Sequence, residues 1–165
     1  MNIERITLTP DYLTSQGFNN TFQERFWKKV RKTESCWVWI GSRAGGTYGD
    51  IHKGHGKNIK AHIASWIMHF GPVPEGLKVL HRCDNYPCVR PDHLFLGTQV
   101  DNMRDCINKG RFSTATMFRG KISKDVANEI RRLYFDCNVT QAALGRAFHL
   151  HQTTIWSIVH FKTWF

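Results

Sequence analysis

Cys83, Cys88 and His93 are spaced by four and then four intervening residues. Two of them lie in the stretch 82–92, which also carries two Pro, two Asp and an Asn and is too rich in turn formers for a regular element. Thiolates and a neutral imidazole are the donors a tetrahedral zinc ion takes, and a loop with no apolar core gains most from such a clip. Cys36, at the head of Cys-Trp-Val-Trp, completes a four-donor set for structural Zn²⁺. The competing reading makes Cys83 and Cys88 ordinary buried thiols. Cys106 and Cys137 fall on predicted helices and are read as packing residues, in reserve should Cys36 prove too distant. An odd total of five cysteines fits ligation or burial better than a disulfide framework.

The elements that must hold this loop can be read on either side of it. Pro10, Gly17 and the polar 15–21 stretch read as an N-terminal arm. Phe22, Phe26, Trp27 and Val30 then recur at near-helical spacing with basic residues between them, which predicts a short basic amphipathic helix. Strands are expected at 37–40 and 48–51, with a turn at 53–57 into another strand near Ile59. Ile63, Ala64, Trp66, Ile67 and Phe70 predict a helix over 61–70 that stops at Gly71-Pro72. A strand at 77–81 enters the loop and a short strand at 93–96 leaves it. Thr98 and Asp101 form a capping box for a helix with the stripe Val100, Met103, Ile107, ending at Lys109-Gly110.

The 165 residues hold 23 Lys and Arg against 13 Asp and Glu, a net charge of +10 at pH 7, with 41% hydrophobic and 13% aromatic content. That length excludes a large multidomain enzyme. The charge favours a polyanionic partner through counterion release, while the apolar content favours folded cores over a disordered basic tail. No apolar run is long enough for a membrane span, and the opening residues lack the character of a secretion signal, so an intracellular protein with no membrane partner is expected.

In order along the chain stand Leu80-His81-Arg82-Cys83-Asp84-Asn85, Cys88-Val89-Arg90-Pro91-Asp92-His93-Leu94, Gly97-Thr98 and Asp101-Asn102-Met103. Together with Phe-Trp-Lys-Lys-Val, Cys-Trp-Val-Trp and Gly-Pro-Val-Pro-Glu-Gly upstream, this series resembles the motif of phage-type HNH homing endonucleases over residues 22–111. The resemblance implies a ββα-metal fold around one catalytic divalent cation, Mg²⁺ or Mn²⁺. It also implies hydrolysis of phosphodiester bonds in double-stranded DNA to 5′-phosphate and 3′-hydroxyl ends, with no small-molecule cofactor. His81 takes the general-base position and Asn102 the helix position that offers an amide oxygen to the cation. His93 falls where the family pins the loop to the strand.

Two departures stand out. Leu80 occupies the place of an acidic metal ligand in many relatives, so either Asn102 with waters and substrate oxygens suffices, or Asp84, Asp101 or Asp105 contributes. Arg90 precedes Pro91 where the family's middle Asn would stand. Arg82, Arg90 and Arg104 are read either as phosphate contacts or as solvated surface residues. His52, His55, His62, His69, His149, His151 and His160 lack a matching partner set and are given no catalytic role.

Three short helical patterns close the chain, behind possible caps at Ser123 and Thr140 and in the Ile155, Ile158, Val159 run. They form a helix-turn-helix pattern and resemble modules that follow HNH domains in phage endonucleases. His151, Gln152, Thr153 and Thr154 would meet base edges or phosphates, with Gln152 the best base reader; His149 stands where such turns usually have Gly. A purely structural bundle is the alternative. Arg111, Arg119 and Lys121 flank an extended segment that would either lie along the minor groove or serve as a flexible tether.

The expected fold class is therefore α+β: a zinc-stabilised ββα-metal (HNH) nuclease domain plus a small all-α helix-turn-helix domain. The expected division is an N-terminal arm at 1–21, the nuclease domain at 22–110, a basic linker at 111–121 and the helix-turn-helix domain at 122–165. A monomer is favoured, in the cytoplasm of a bacterial host if the chain is phage-encoded. The rival function is a non-catalytic, zinc-stabilised DNA-binding regulator, and charge alone would also allow an RNA-binding module.

Overall fold

The computed structural model describes residues 8–54, 56–112 and 122–164. Arg119, Lys121 and most of the expected linker lie outside them, as does His55. The chain forms two compact units, one through Leu96 and one from Gly97.

The first unit begins with two short helices, α1 (Pro10–Ser15) and α2 (Asn20–Trp27). Thr9 accepts from the Tyr12 N–H, and Pro10 occupies the first turn of α1, where a missing N–H costs nothing. Asn19 caps α2 in the same way through the Phe22 N–H. The expected arm is thus helical in part, and Phe18, Phe22 and Phe26 from this region are buried in the core. The helix predicted to run through Val30 stops at Trp27. Val30–Lys32 is instead strand β1, antiparallel to β2 (Trp37–Trp39) with Val30 opposite Trp39. The intervening turn is closed by Thr33, whose hydroxyl accepts from the Cys36 N–H at 3.0 Å, and this local bond outweighs continued helical periodicity.

A hairpin follows, β3 (Asp50–Gly54) and β4 (Lys57–Lys60), with Ile51 opposite Ile59. It leads into α3 (Ala61–Phe70), which ends at Gly71 as its Gly-Pro sequence predicts. Strands β5 (Lys78–His81) and β6 (Leu94–Gly97) pair on either side of the 82–93 loop. The core centres on Trp39, fully buried with Phe26, Ile51, Ala61, Ala64 and Val89 around it. Gly49 has no side chain for a geometric reason: a Cβ there would stand 2.3 Å from Trp39 Cδ1.

The second unit contains α4 (Gln99–Asn108), α5 (Lys124–Phe135), α6 (Gln141–Phe148) and α7 (Gln152–Val159). The capping box of α4 is complete, Thr98 accepting from the Asp101 N–H and Asp101 from the Thr98 N–H. Ile107, with Val100 and Met103 beside it, packs in the same core as Ile130, Leu133, Leu144, Phe148, Ile155 and Ile158. The apolar stripe of α4 therefore groups this helix with the C-terminal helices in the unit that begins at Gly97. Ser123 and Thr140 cap α5 and α6 as expected. His149 turns the chain between α6 and α7 in the left-handed conformation, φ 54° and ψ 40°. Arg131 is 7% exposed; its guanidinium donates to the carbonyls of Ile158, Thr163 and Trp164 and so closes the end of α7.

Candidate metal centre and active site

The donor atoms of Cys36, Cys83, Cys88 and His93 all lie within 4.8 Å of one another. Cys36 Sγ and Cys88 Sγ are each 3.6 Å from His93 Nδ1. Donors about 2.3 Å (sulfur) and 2.1 Å (nitrogen) from a tetrahedral ion would be roughly 3.6 Å apart, so the set fits a single metal. Cys106 and Cys137 are not among these ligands; they belong to the second unit, Cys106 on α4 and Cys137 buried just beyond α5. Burial pushes the Cys88 thiol up to about 12 and raises Cys83 as well. Without a cation both are neutral thiols, and ligation would release their protons.

The fourth ligand reaches the loop because β2 docks on it edge to edge. The Trp39 N–H donates to the Pro87 carbonyl at 2.8 Å, and the Val89 N–H to that of Trp37 at 2.7 Å. From the other side, buried Ser65 of α3 donates its hydroxyl to the Val89 carbonyl at 2.5 Å. Arg90 fastens the Thr33–Cys36 turn, donating to the carbonyls of Glu34 and Ser35 at 2.8 and 3.0 Å and to Asp92 at 3.3 Å. The side chain read as a possible phosphate contact is therefore engaged in holding Cys36 in register.

His81 ends β5 and is 9% exposed. Its Nε2 lies 2.9 Å from the Cys88 carbonyl. A carbonyl only accepts, so Nε2 carries the hydrogen and Nδ1 keeps the lone pair a general base needs. The residue that orients this imidazole through its backbone thus also supplies a thiol to the metal cluster. Burial lowers the His81 pKa, while the Cys88 hydrogen bond and the Asp84 carboxylate act against that fall.

Three side chains around His81 had no signal in the sequence. The His62 ring sits 4.9 Å from that of His81, and the Tyr48 ring lies 4.9 Å from His62 and 5.2 Å from Tyr86. His62 is 6% exposed, its Nδ1 has no hydrogen-bond partner among the described residues, and burial lowers its pKa from 6.5 to about 3. These residues come from β4–α3, the stretch before β3 and the metal loop, so only folding brings them together.

The other expected site residues are spread over both units. Arg82 stacks its guanidinium over Phe95, 4.7 Å from the ring centroid. In the second unit, Asn102 is exposed in the first turns of α4. Arg104 donates to the Cys137 carbonyl at 2.8 Å, and Arg111 pairs with Asp105. The Thr98 N–H and hydroxyl hold the Asp101 carboxyl below its usual range, so this acid is committed to its cap. His151 caps α7; Gln152 and Thr153 are exposed beside it, and Thr154 is half-buried.

Residues 60–104 match the HNH endonuclease family, a span that includes His81, Cys83, Cys88, His93 and Asn102. The chain therefore carries an HNH endonuclease domain, which implies a nuclease acting on nucleic acid. It is 33% identical over 131 residues to Protein 7.7 of Escherichia phage T7, covering 79% of this chain and 97% of that protein. It is 30% identical over 138 residues to Protein 2.8 of the same phage, covering 82% and 90%. A shorter likeness, 37% over 46 residues, reaches 28% of this chain and 46% of the uncharacterized gene 5.3 protein of Enterobacteria phage T3. The chain belongs to the family of phage proteins that includes Protein 7.7 and Protein 2.8 of phage T7. No solved structure matches it significantly. No helix among the described residues is long and apolar enough to cross a membrane.

Proposed function

We propose that this protein is a site-directed DNA endonuclease of the HNH homing type, hydrolysing phosphodiester bonds in duplex DNA to 5′-phosphate and 3′-hydroxyl ends. The observation that carries the reading is the hydrogen bond from His81 Nε2 to the Cys88 carbonyl. It fixes the tautomer with Nδ1 as base and anchors that base to the metal cluster. Zinc is the ion the three thiols and one imidazole suit, and it would act structurally, since all four positions are protein ligands.

In the reaction, His81 Nδ1 takes a proton from water, whose oxygen forms the new bond to phosphorus as the bond to the 3′ oxygen breaks. A second, hard cation, Mg²⁺ or Mn²⁺, would stabilise charge on the phosphate and the departing oxygen. Asn102 is assigned to hold it: its exposed carboxamide offers the hard oxygen donor such a cation takes. Asp84, Asp101 and Asp105 are the acidic candidates for the position Leu80 does not fill; Asp101 also caps α4 and Asp105 also pairs with Arg111.

Functionally, residues 22–110 are assigned to cleavage, 122–165 to a helix-turn-helix DNA reader and 111–121 to the segment joining them. The left-handed turn at His149 and the exposed Gln152 and Thr153 at the start of α7 favour that reader. The protein is taken to act as a monomer inside the bacterial host. Incubation with supercoiled plasmid and graded Mg²⁺ or Mn²⁺ tests the proposal. Nicking or linearisation that EDTA stops is expected; a mobility shift with no cut product would favour the non-catalytic regulator.

A further inference from the structure

Apart from the metal centre, the first unit carries an open groove of about 740 Å³ between the α1–α2 turn and the β3–β4 hairpin. Among the described residues its ionic lining is Arg25, Lys53 and Lys57, one each from α2, β3 and β4, with His52 between them and no carboxylate. Two of the cations are held in place. Arg25 donates to the His52 carbonyl at 2.6 Å, which ties α2 to the hairpin. Lys53 lies over the Phe18 ring, its ammonium 4.6 Å from the centroid. The Lys53 stem runs past Gly17, where φ is +80° and a Cβ would stand 3.1 Å from Lys53 Cε. A side chain at position 17 would therefore be strained and would press on the lysine. Asn19 and Thr21 add neutral polar groups to the same wall.

Three cations on three elements, with no acid among the described lining residues, select an anion. The open shape suits an extended polyanion better than a small enclosed one. We propose that this groove is a second contact for nucleic acid, gripping backbone phosphates of the duplex away from the phosphate that is cut. The choice of duplex DNA rests on the proposed nuclease function; the charge and shape of the groove do not. Contacts of this kind set affinity and register rather than sequence preference.

The test uses the full-length protein, a labelled duplex and anisotropy across a salt series, without added Mg²⁺ or Mn²⁺. Each phosphate contact contributes about 0.9 to the slope of log affinity against log salt. Lys53→Gln with Lys57→Gln should reduce that slope by about 2 and lower affinity at physiological salt by about tenfold. Adding Arg25→Gln should take the slope change towards about 3. The double variant leaves the Arg25 bond to the hairpin intact, so it reports on the groove even if the triple variant folds poorly. A double variant with the parent's slope and affinity overturns the proposal. If the lysines control binding but the parent never cuts DNA with Mg²⁺ or Mn²⁺, the groove stands and the nuclease assignment fails.

Discussion

His62 shows how the protein accepts a local cost beside its proposed base. A buried imidazole whose Nδ1 finds no partner among the described residues is unfavourable, yet it packs against His81 and Tyr48 in the first unit. Its folded pKa, about 3, lies below the ordinary 6.5. The unfolded chain therefore takes up a proton first as pH falls. The stabilisation is complete above about pH 6.5, declines towards pH 3 and is then constant, with a total loss of about 5 kcal/mol at most. His62→Phe keeps a ring in place but removes the titration. Its unfolding free energy should fall less between pH 7 and pH 4.5 than the parent's, by about 2 kcal/mol. Equal falls in urea titrations at the two pH values would show that His62 is not buried in its neutral form.

At the scale of elements, the β2 edge joins the 82–93 loop through backbone bonds and α3 joins it through the Ser65 hydroxyl, all converging at residues 87–89. With zinc as the proposed ion of the Cys36, Cys83, Cys88 and His93 set, Cys88→Ser should lower zinc content from about one per chain to almost none by elemental analysis. The intrinsic fluorescence of buried Trp39 should shift towards that of an exposed indole as the loop loosens. Retained zinc at the parental level would mean that Cys36, Cys83 and His93 suffice. A second test concerns the α6–α7 turn, where His149 holds φ 54°. His149→Gly should stabilise the protein by about 0.5–1 kcal/mol, because Gly adopts this conformation without a Cβ clash. A lower thermal midpoint would show that the exposed imidazole contributes a contact worth more than the relieved strain.

Much at this scale was legible before folding was considered. The capping box of α4, the stop of α3 at Gly71-Pro72 and the four metal donors are written in local residue chemistry or spacing. Strand β1 was not legible, because three residues carry too little periodicity and Val30 also continues the helical stripe of α2. The grouping of α4 was hidden for another reason: its stripe says that one face is buried but not against which partner. Arg90 illustrates the same limit in a single side chain, since only the folded turn shows that its donors serve the Glu34 and Ser35 carbonyls. The ring cluster around His81 depends on contacts between residues up to 38 apart, Tyr48 and Tyr86, which no local pattern encodes.

For the whole molecule, a net charge of +10 supplies long-range attraction to a polyanion, and particular residues decide the outcome of the encounter. Basic groups in the N-terminal groove and polar groups at the head of α7 can contribute affinity without chemistry; His81 can contribute chemistry with little affinity. The two functions should therefore separate. The most direct measurement pairs single-turnover cleavage of a duplex in Mg²⁺ or Mn²⁺ with equilibrium binding of the same duplex, for the parent and His81→Ala. Cleavage should fall by at least about a hundredfold, the usual scale of a lost general base, while affinity stays within about threefold. A His81→Ala protein that cuts at the parental rate would contradict the assignment of His81 as the base that activates water.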